Sequence, residues 1–179
     1  MNPVIISDRG NSDRSARAQG MRGLVWLVLS AVVYALDQWT KAIAIAKLEL
    51  HQPIPFISGF WNWMLARNYG VAFSLFDNQA GWQRYGLSVF ALLVAVVFVV
   101  WLTRVPARER ATSVALALIV GGAIGNVTDR LRYGYVVDFI DWFVGTYHWP
   151  AFNIADSAVV CGAILLVLTG WVDSRRVRR

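Results

Sequence analysis

The chain has 179 residues, of which 57% are hydrophobic and only 16% charged, a balance too apolar for an ordinary soluble domain of this size and expected of a membrane protein. Its formal charge of +6 does not mark a nucleic-acid binder, because the basic residues sit in flanks and tails and are not gathered on a folded face.

Residues 1–22 carry Arg9, Arg14, Arg17 and Arg22 and read as a basic tail for which disorder is expected. Residues 23–46 are the first of four segments near the about 20 residues that cross a bilayer. Arginines followed by "LVWLVLSAVVYAL" resemble a secretory signal peptide, but no small-residue cleavage site follows, so this is predicted to be an uncleaved first helix. Asp37 and Lys41 lie four apart on one face and are expected to form an ion pair near the outer interface.

The next link has Pro53 and Pro55, an aromatic and β-branched run, a turn signal at Asn68-Tyr69-Gly70, a second apolar run and a turn signal at Asp77-Asn78. It predicts a short antiparallel β element over about 53–78 on the outer membrane surface. Phe60, Trp61, Trp63, Phe73, Phe76 and Trp82 suit the headgroup level. The second span, 85–103, is uninterrupted by charge, and the link after it holds Arg104, Arg108 and Arg110.

The third span, 112–131, contains "GGAIGNVTDR". Gly121 and Gly125 form a small-xxx-small pattern that admits a close helix neighbour. Asn126, Asp129 and Arg130 follow within about a turn and are expected to face the bundle interior or a hydrated cavity. The link 133–149 is read as a loop over the site that opens for substrate. Its "YVVDFIDWF" puts Asp138 among Val136, Val137, Phe139 and Ile140, with Asp141 expected to be solvated. His51 and His148 read as isolated interfacial residues. The fourth span, 154–172, opens just after Asn153 and carries Asp156 at its outer end. Cys161, the single cysteine, allows no intrachain disulfide and offers no Cys-based metal site.

Cytoplasmic flanks hold the excess of Lys and Arg. The arginines before the first span, between the second and third, and in the tail 173–179 therefore place both termini on the cytoplasmic side. The predicted fold is an all-α membrane protein of four transmembrane helices with a small extracytoplasmic β-sheet platform, one domain over 23–172.

Taken alone, Asp156 reads as a helix N-cap or first-turn acid and Asp138 as an interfacial side chain. Together, beside Asn126, Arg130 and Asn153 at one membrane face, they read as a site. Two neighbouring carboxylates cannot both ionise cheaply, so one pKa rises and the pair offers a base and an acid at once. Ser30, Ser74, Ser88, Ser113 and Ser157 have no plausible His partner, which disfavours serine catalysis. A small transporter or ion-conducting protein would spread its ionisable groups through the depth of the spans, and a scaffold would use the polar cluster only to lock helices.

Five blocks in order, "DQWTK" (37–41), "NYGVAF" (68–73), "GGAIGNVTDR" (121–130), "VVDF" (136–139) and "FNIADSA" (152–158), resemble the lipoprotein signal peptidases, or signal peptidase II. The resemblance implies a four-span aspartic endopeptidase of the bacterial cytoplasmic membrane with Asp138 and Asp156 as its catalytic pair. It implies supporting roles for Asn68, Gly70, Asn126, Arg130 and Asn153, with Asp37, Lys41 and Asp129 in neighbouring motifs. The implied substrate is a prolipoprotein with a diacylglyceryl cysteine, cut on the amino side of that cysteine near the extracytoplasmic face. Membrane lipids and globomycin-like inhibitors are the other implied partners; no metal or organic cofactor is implied, and a monomer is expected.

Overall fold

In hydrocarbon every backbone N–H and C=O must be satisfied internally, so apolar runs of bilayer length become helices. The computed structural model describes residues 23–70 and 82–177. Its helices are α1 (Leu27–Lys47), α2 (Trp82–Leu102), α3 (Arg110–Tyr133) and α4 (Ile154–Val177). Each contains a stretch long and apolar enough to cross a membrane.

α3 is the central helix, packed against the other three and largely buried, while they leave most of their surfaces exposed. A Cβ on Gly121 would stand 2.7 Å from the Ser30 carbonyl oxygen, and one on Gly125 2.5 Å from Asp37 Oδ2. The small-xxx-small face is thus the one that α1 packs on. Ser30 Oγ donates to the Ala117 carbonyl at 2.8 Å across the same seam. Gly122, one position round, lies against the Ala155 carbonyl and makes room for α4. Val28, Leu36, Leu93, Val97 and Val167 stay exposed, as suits lipid and not water.

A four-stranded antiparallel sheet forms from β1 (Ile54–Ile57), β2 (Trp61–Asn68), β3 (Val136–Val144) and β4 (Tyr147–His148), in that order. Two expectations change. The β1–β2 turn lies at Gly59, which takes a positive φ of 79°, while Asn68-Tyr69-Gly70 ends β2. The neighbour of β2 is β3, so the link 133–149, expected as a loop, supplies a central strand. Gly134 explains the switch: at φ 85° it ends α3, donates its N–H to the Arg130 carbonyl at 3.1 Å, and leads the chain into the β-branched run. The remaining expected β residues, with Phe73, Phe76 and the Asp77-Asn78 turn, lie outside the described residues, as does the tail 1–22.

Ala44, Phe139 and Ile140 form a buried cluster with Leu48, Trp63, Leu65 and Phe152 around it, joining the sheet to the end of α1 and the lead-in to α4. Ile140 also exchanges backbone hydrogen bonds with Phe152 at 2.9 and 3.0 Å. The residues just before α4 are thereby drawn against the strand that carries Asp138.

Candidate active site

Asn153 and Asp156 cap α4 reciprocally. The Asp156 N–H donates to Asn153 Oδ1 at 2.8 Å, and the Asn153 N–H donates to Asp156 Oδ2 at 3.2 Å, which satisfies orphan donors of the first turn. The amide of Asn153 then reaches across to β3, where its Nδ2 donates to Asp138 Oδ1 at 2.7 Å and to the Val137 carbonyl at 3.2 Å. One buried asparagine therefore touches both carboxyl groups.

Asn126 on α3 completes the pair. Its Nδ2 donates to Asp156 Oδ1 at 2.7 Å, while its Oδ1 accepts from Lys41 Nζ at 3.0 Å and Asn153 Nδ2 at 3.3 Å. The Asn68 side chain faces Asp138, favouring its ionised form, and is held by the turn after β2, where the Gly70 N–H donates to Asn68 Oδ1 at 2.8 Å. Gly70 needs its positive φ of 80° for that turn. Burial and the Asp156 carboxylate push the Asp138 carboxyl up to about 7, against the opposing pull of Asn68, Asn153 and Lys41.

Behind the pair lies a buried ionic network. Lys41 Nζ stands 2.9 Å from Asp37 Oδ2 and 2.8 Å from Asp129 Oδ2. The Asp37–Lys41 pair expected from spacing is present and is buried. Asp37 Oδ1 accepts the Ala155 N–H at 2.9 Å, and Asp129 Oδ2 accepts the Val137 N–H at 3.0 Å. The two acids thus fix the starts of α4 and β3, the elements that carry Asp156 and Asp138. Arg130 faces Asp129, Asp138 and Asp156, and its buried Nε has no hydrogen-bond partner among the described residues.

The ten sequence-predicted residues fall into three groups: Asp138, Asp156, Asn68, Asn126, Arg130 and Asn153 converge, Gly70 shapes the turn that places Asn68, and Asp37, Lys41 and Asp129 form the adjoining network. Asp141 and His148 depart from expectation. Asp141 is buried on β3, accepting from Asn62 Nδ2 at 2.9 Å and lying 2.7 Å from His148 Nδ1, and that ring stacks on Phe143. Its burial follows from strand pairing, because Asn62 is its register partner on β2. Gln38 was also missed: its Nε2 donates to Asp129 Oδ1 at 2.9 Å and Asp37 Oδ2 at 3.2 Å. Its place beside Asp37 in an otherwise apolar helix was the available signal. Ser30, Ser88, Ser113 and Ser157 all donate to backbone carbonyls.

The chain is similar to the lipoprotein signal peptidase of Xanthomonas campestris pv. campestris (strain 8004), at 48% identity over 87% of this chain and 93% of that one. It is as similar to the lipoprotein signal peptidase of Xylella fastidiosa (strain M12), at 48% identity over 85% and 91%. Among solved structures, a bacterial membrane enzyme determined by the in meso method at 2.3 Å resolution superposes with a TM-score of 0.73 at 28% identity, covering 84% of this chain and 89% of that one. Residues 29–172 match the family described as Signal peptidase (SPase) II, and with a relative this similar along most of its length the chain belongs to that family.

Proposed function

We propose that this chain removes signal peptides from prolipoproteins as an aspartic endopeptidase of the bacterial inner membrane, cleaving on the amino side of a diacylglyceryl cysteine. Its family and its four membrane-length helices support the activity and the location. The observation that carries the chemistry is the contact of Asn153 with both Asp138 and Asp156.

The two acids have different surroundings. Asp156 sits in the first turn of α4, where the helix dipole favours negative charge, and it accepts from Asn126 and from the Asn153 backbone. Asp138, pushed up to about 7, is the member that keeps a proton near neutrality. In this scheme Asp156 takes a proton from water as that water attacks the scissile carbonyl carbon, and Asp138 gives its proton to the carbonyl oxygen. The tetrahedral diol then collapses. Asp138 recovers its proton from a hydroxyl, Asp156 passes its proton to the leaving nitrogen, and the C–N bond breaks to give a carboxylic acid and an amine. The scheme uses no metal or organic cofactor.

Asn126 holds the Asp156 carboxyl in place, Asn68 faces Asp138, and the Arg130 guanidinium, beside both acids, would orient a substrate carbonyl. Asp37, Lys41 and Asp129 position the elements beneath. By the arginine distribution both termini are cytoplasmic, so the dyad and sheet lie at the extracytoplasmic face, where a lipid-anchored cysteine would be met. Globomycin-like peptides would occupy the dyad, and a monomer contains every residue named.

The test is cleavage of a diacylglyceryl-modified prolipoprotein by purified wild type, Asp138→Asn and Asp156→Asn, with thermal unfolding of each. Folded variants that have lost cleavage support the dyad. Normal cleavage by either variant would falsify it.

A further inference from the structure

Arg67 on β2, Arg84 in the first turn of α2 and Arg132 in the last turn of α3 surround residues 133–135, where α3 gives way to β3. The Arg67 guanidinium lies over the Tyr135 ring at 5.1 Å, and that of Arg132 over the Tyr133 ring at 5.5 Å. The two rings stack 5.9 Å apart. Arg84 reaches in from α2, with Nη1 3.3 Å from where a Cβ on Gly134 would be. Three cations thus share one rim of the bundle, and among the described residues none forms an ion pair with a carboxylate.

Their tyrosine contacts offset part of the like-charge repulsion, but Arg84 Nε is buried and has no hydrogen-bond partner among the described residues. Arg67 and Arg132 are exposed, so the uncompensated charge of the three guanidiniums is open to an external anion. On the topology proposed above these arginines also face the side where such residues are scarce.

Guanidinium forks match phosphate oxygens in charge and geometry. The source of the phosphate is indicated by what adjoins the rim. Tyr85, Val89, Leu93 and Val97 recur every four residues down α2 and are all exposed, giving an apolar stripe that begins next to Arg84. We propose that Arg67, Arg84 and Arg132 bind the phosphate of an anionic membrane phospholipid, whose acyl chains lie along this stripe.

The test uses the full-length protein in nanodiscs of phosphatidylcholine with a minor fraction of phosphatidylglycerol, with lipid retained after release counted by native mass spectrometry. Wild type is expected to retain phosphatidylglycerol in preference to phosphatidylcholine. Each Arg→Gln change should weaken retention about fivefold, and the triple variant on the order of a hundredfold. Arg110→Gln, at the opposite end of α3, should change nothing. Should Arg84→Gln fail to fold, the exposed Arg67 and Arg132 carry the same comparison as a double variant. Equal retention of both lipids, full retention by the triple or double variant, or equal loss in Arg110→Gln overturns the proposal. Displacement of the lipid signal by millimolar inorganic phosphate would assign the site to a soluble anion and overturn it as well.

Discussion

Replacing Asp138 by asparagine should abolish cleavage and yet raise stability in alkaline solution. The carboxyl has moved from an ordinary 3.8 to about 7, chiefly through burial and the neighbouring Asp156. A displacement of that size means that ionised Asp138 costs the folded state about 4 kcal/mol relative to the unfolded chain. The sign follows from proton binding: the folded state holds this proton more tightly, so the contribution is complete below about pH 4 and is lost as pH rises through about 7. Asparagine never ionises and still offers an Oδ1 to Asn153, which donates at 2.7 Å. It loses one acceptor oxygen, so about 1 kcal/mol of favourable polar contact is forfeited. The net gain at pH 8 is about 2–3 kcal/mol, or roughly 5–10 °C in Tm, and at pH 4 it should vanish or reverse. Thermal unfolding of both proteins in one detergent at the two pH values measures the difference. A variant less stable than wild type at pH 8 would refute the reasoning and make Asp138 a structural acceptor.

The same carboxyl sets the alkaline limb of activity: cleavage should fall about tenfold per pH unit above about 7 as the proton needed on the carbonyl oxygen is lost, and a flat profile from pH 6 to 9 would contradict the acid role. Lys41→Met strands Asp37 and Asp129 without the ammonium now 2.9 and 2.8 Å away and should lower stability by about 3–5 kcal/mol; an unchanged unfolding temperature would show that the network carries no such weight. Gly122→Ala drives a methyl against the Ala155 carbonyl and should cost about 1–3 kcal/mol, whereas Gly170→Ala, with open space around it, should be neutral in the same melt.

What could be read in the sequence was what short stretches determine. Span length and apolarity are local, so the four helices fell within a few residues of their expected places, and the Asp37–Lys41 pair followed from helical spacing. The Gly121–Gly125 face was legible for the same reason, although its partner, α1, was not. Strand pairing is a long-range matter. The run "VVDFIDWF" is apolar nearly throughout, so its period could not show that it pairs with β2, and without that register Asp141 had no visible partner in Asn62. The acids at 138 and 156, with Asn153 beside them, could be brought to one membrane face by topology, but that Asn153 bridges both carboxyl groups shows only when the lead-in to α4 is seen lying against β3.

The shared capping of Asp156 by Asn153 bears on how such an enzyme is made. A chain emerging from the ribosome has inserted α1, α2 and α3 and holds Asp138 before Asn153 and α4 exist. The proposed dyad then has one acid, no bridging amide and no helix terminus to hold its partner charge. On the proposed mechanism, hydrolytic capacity would arrive in a single step, when α4 docks against α3 and its first turn closes on β3.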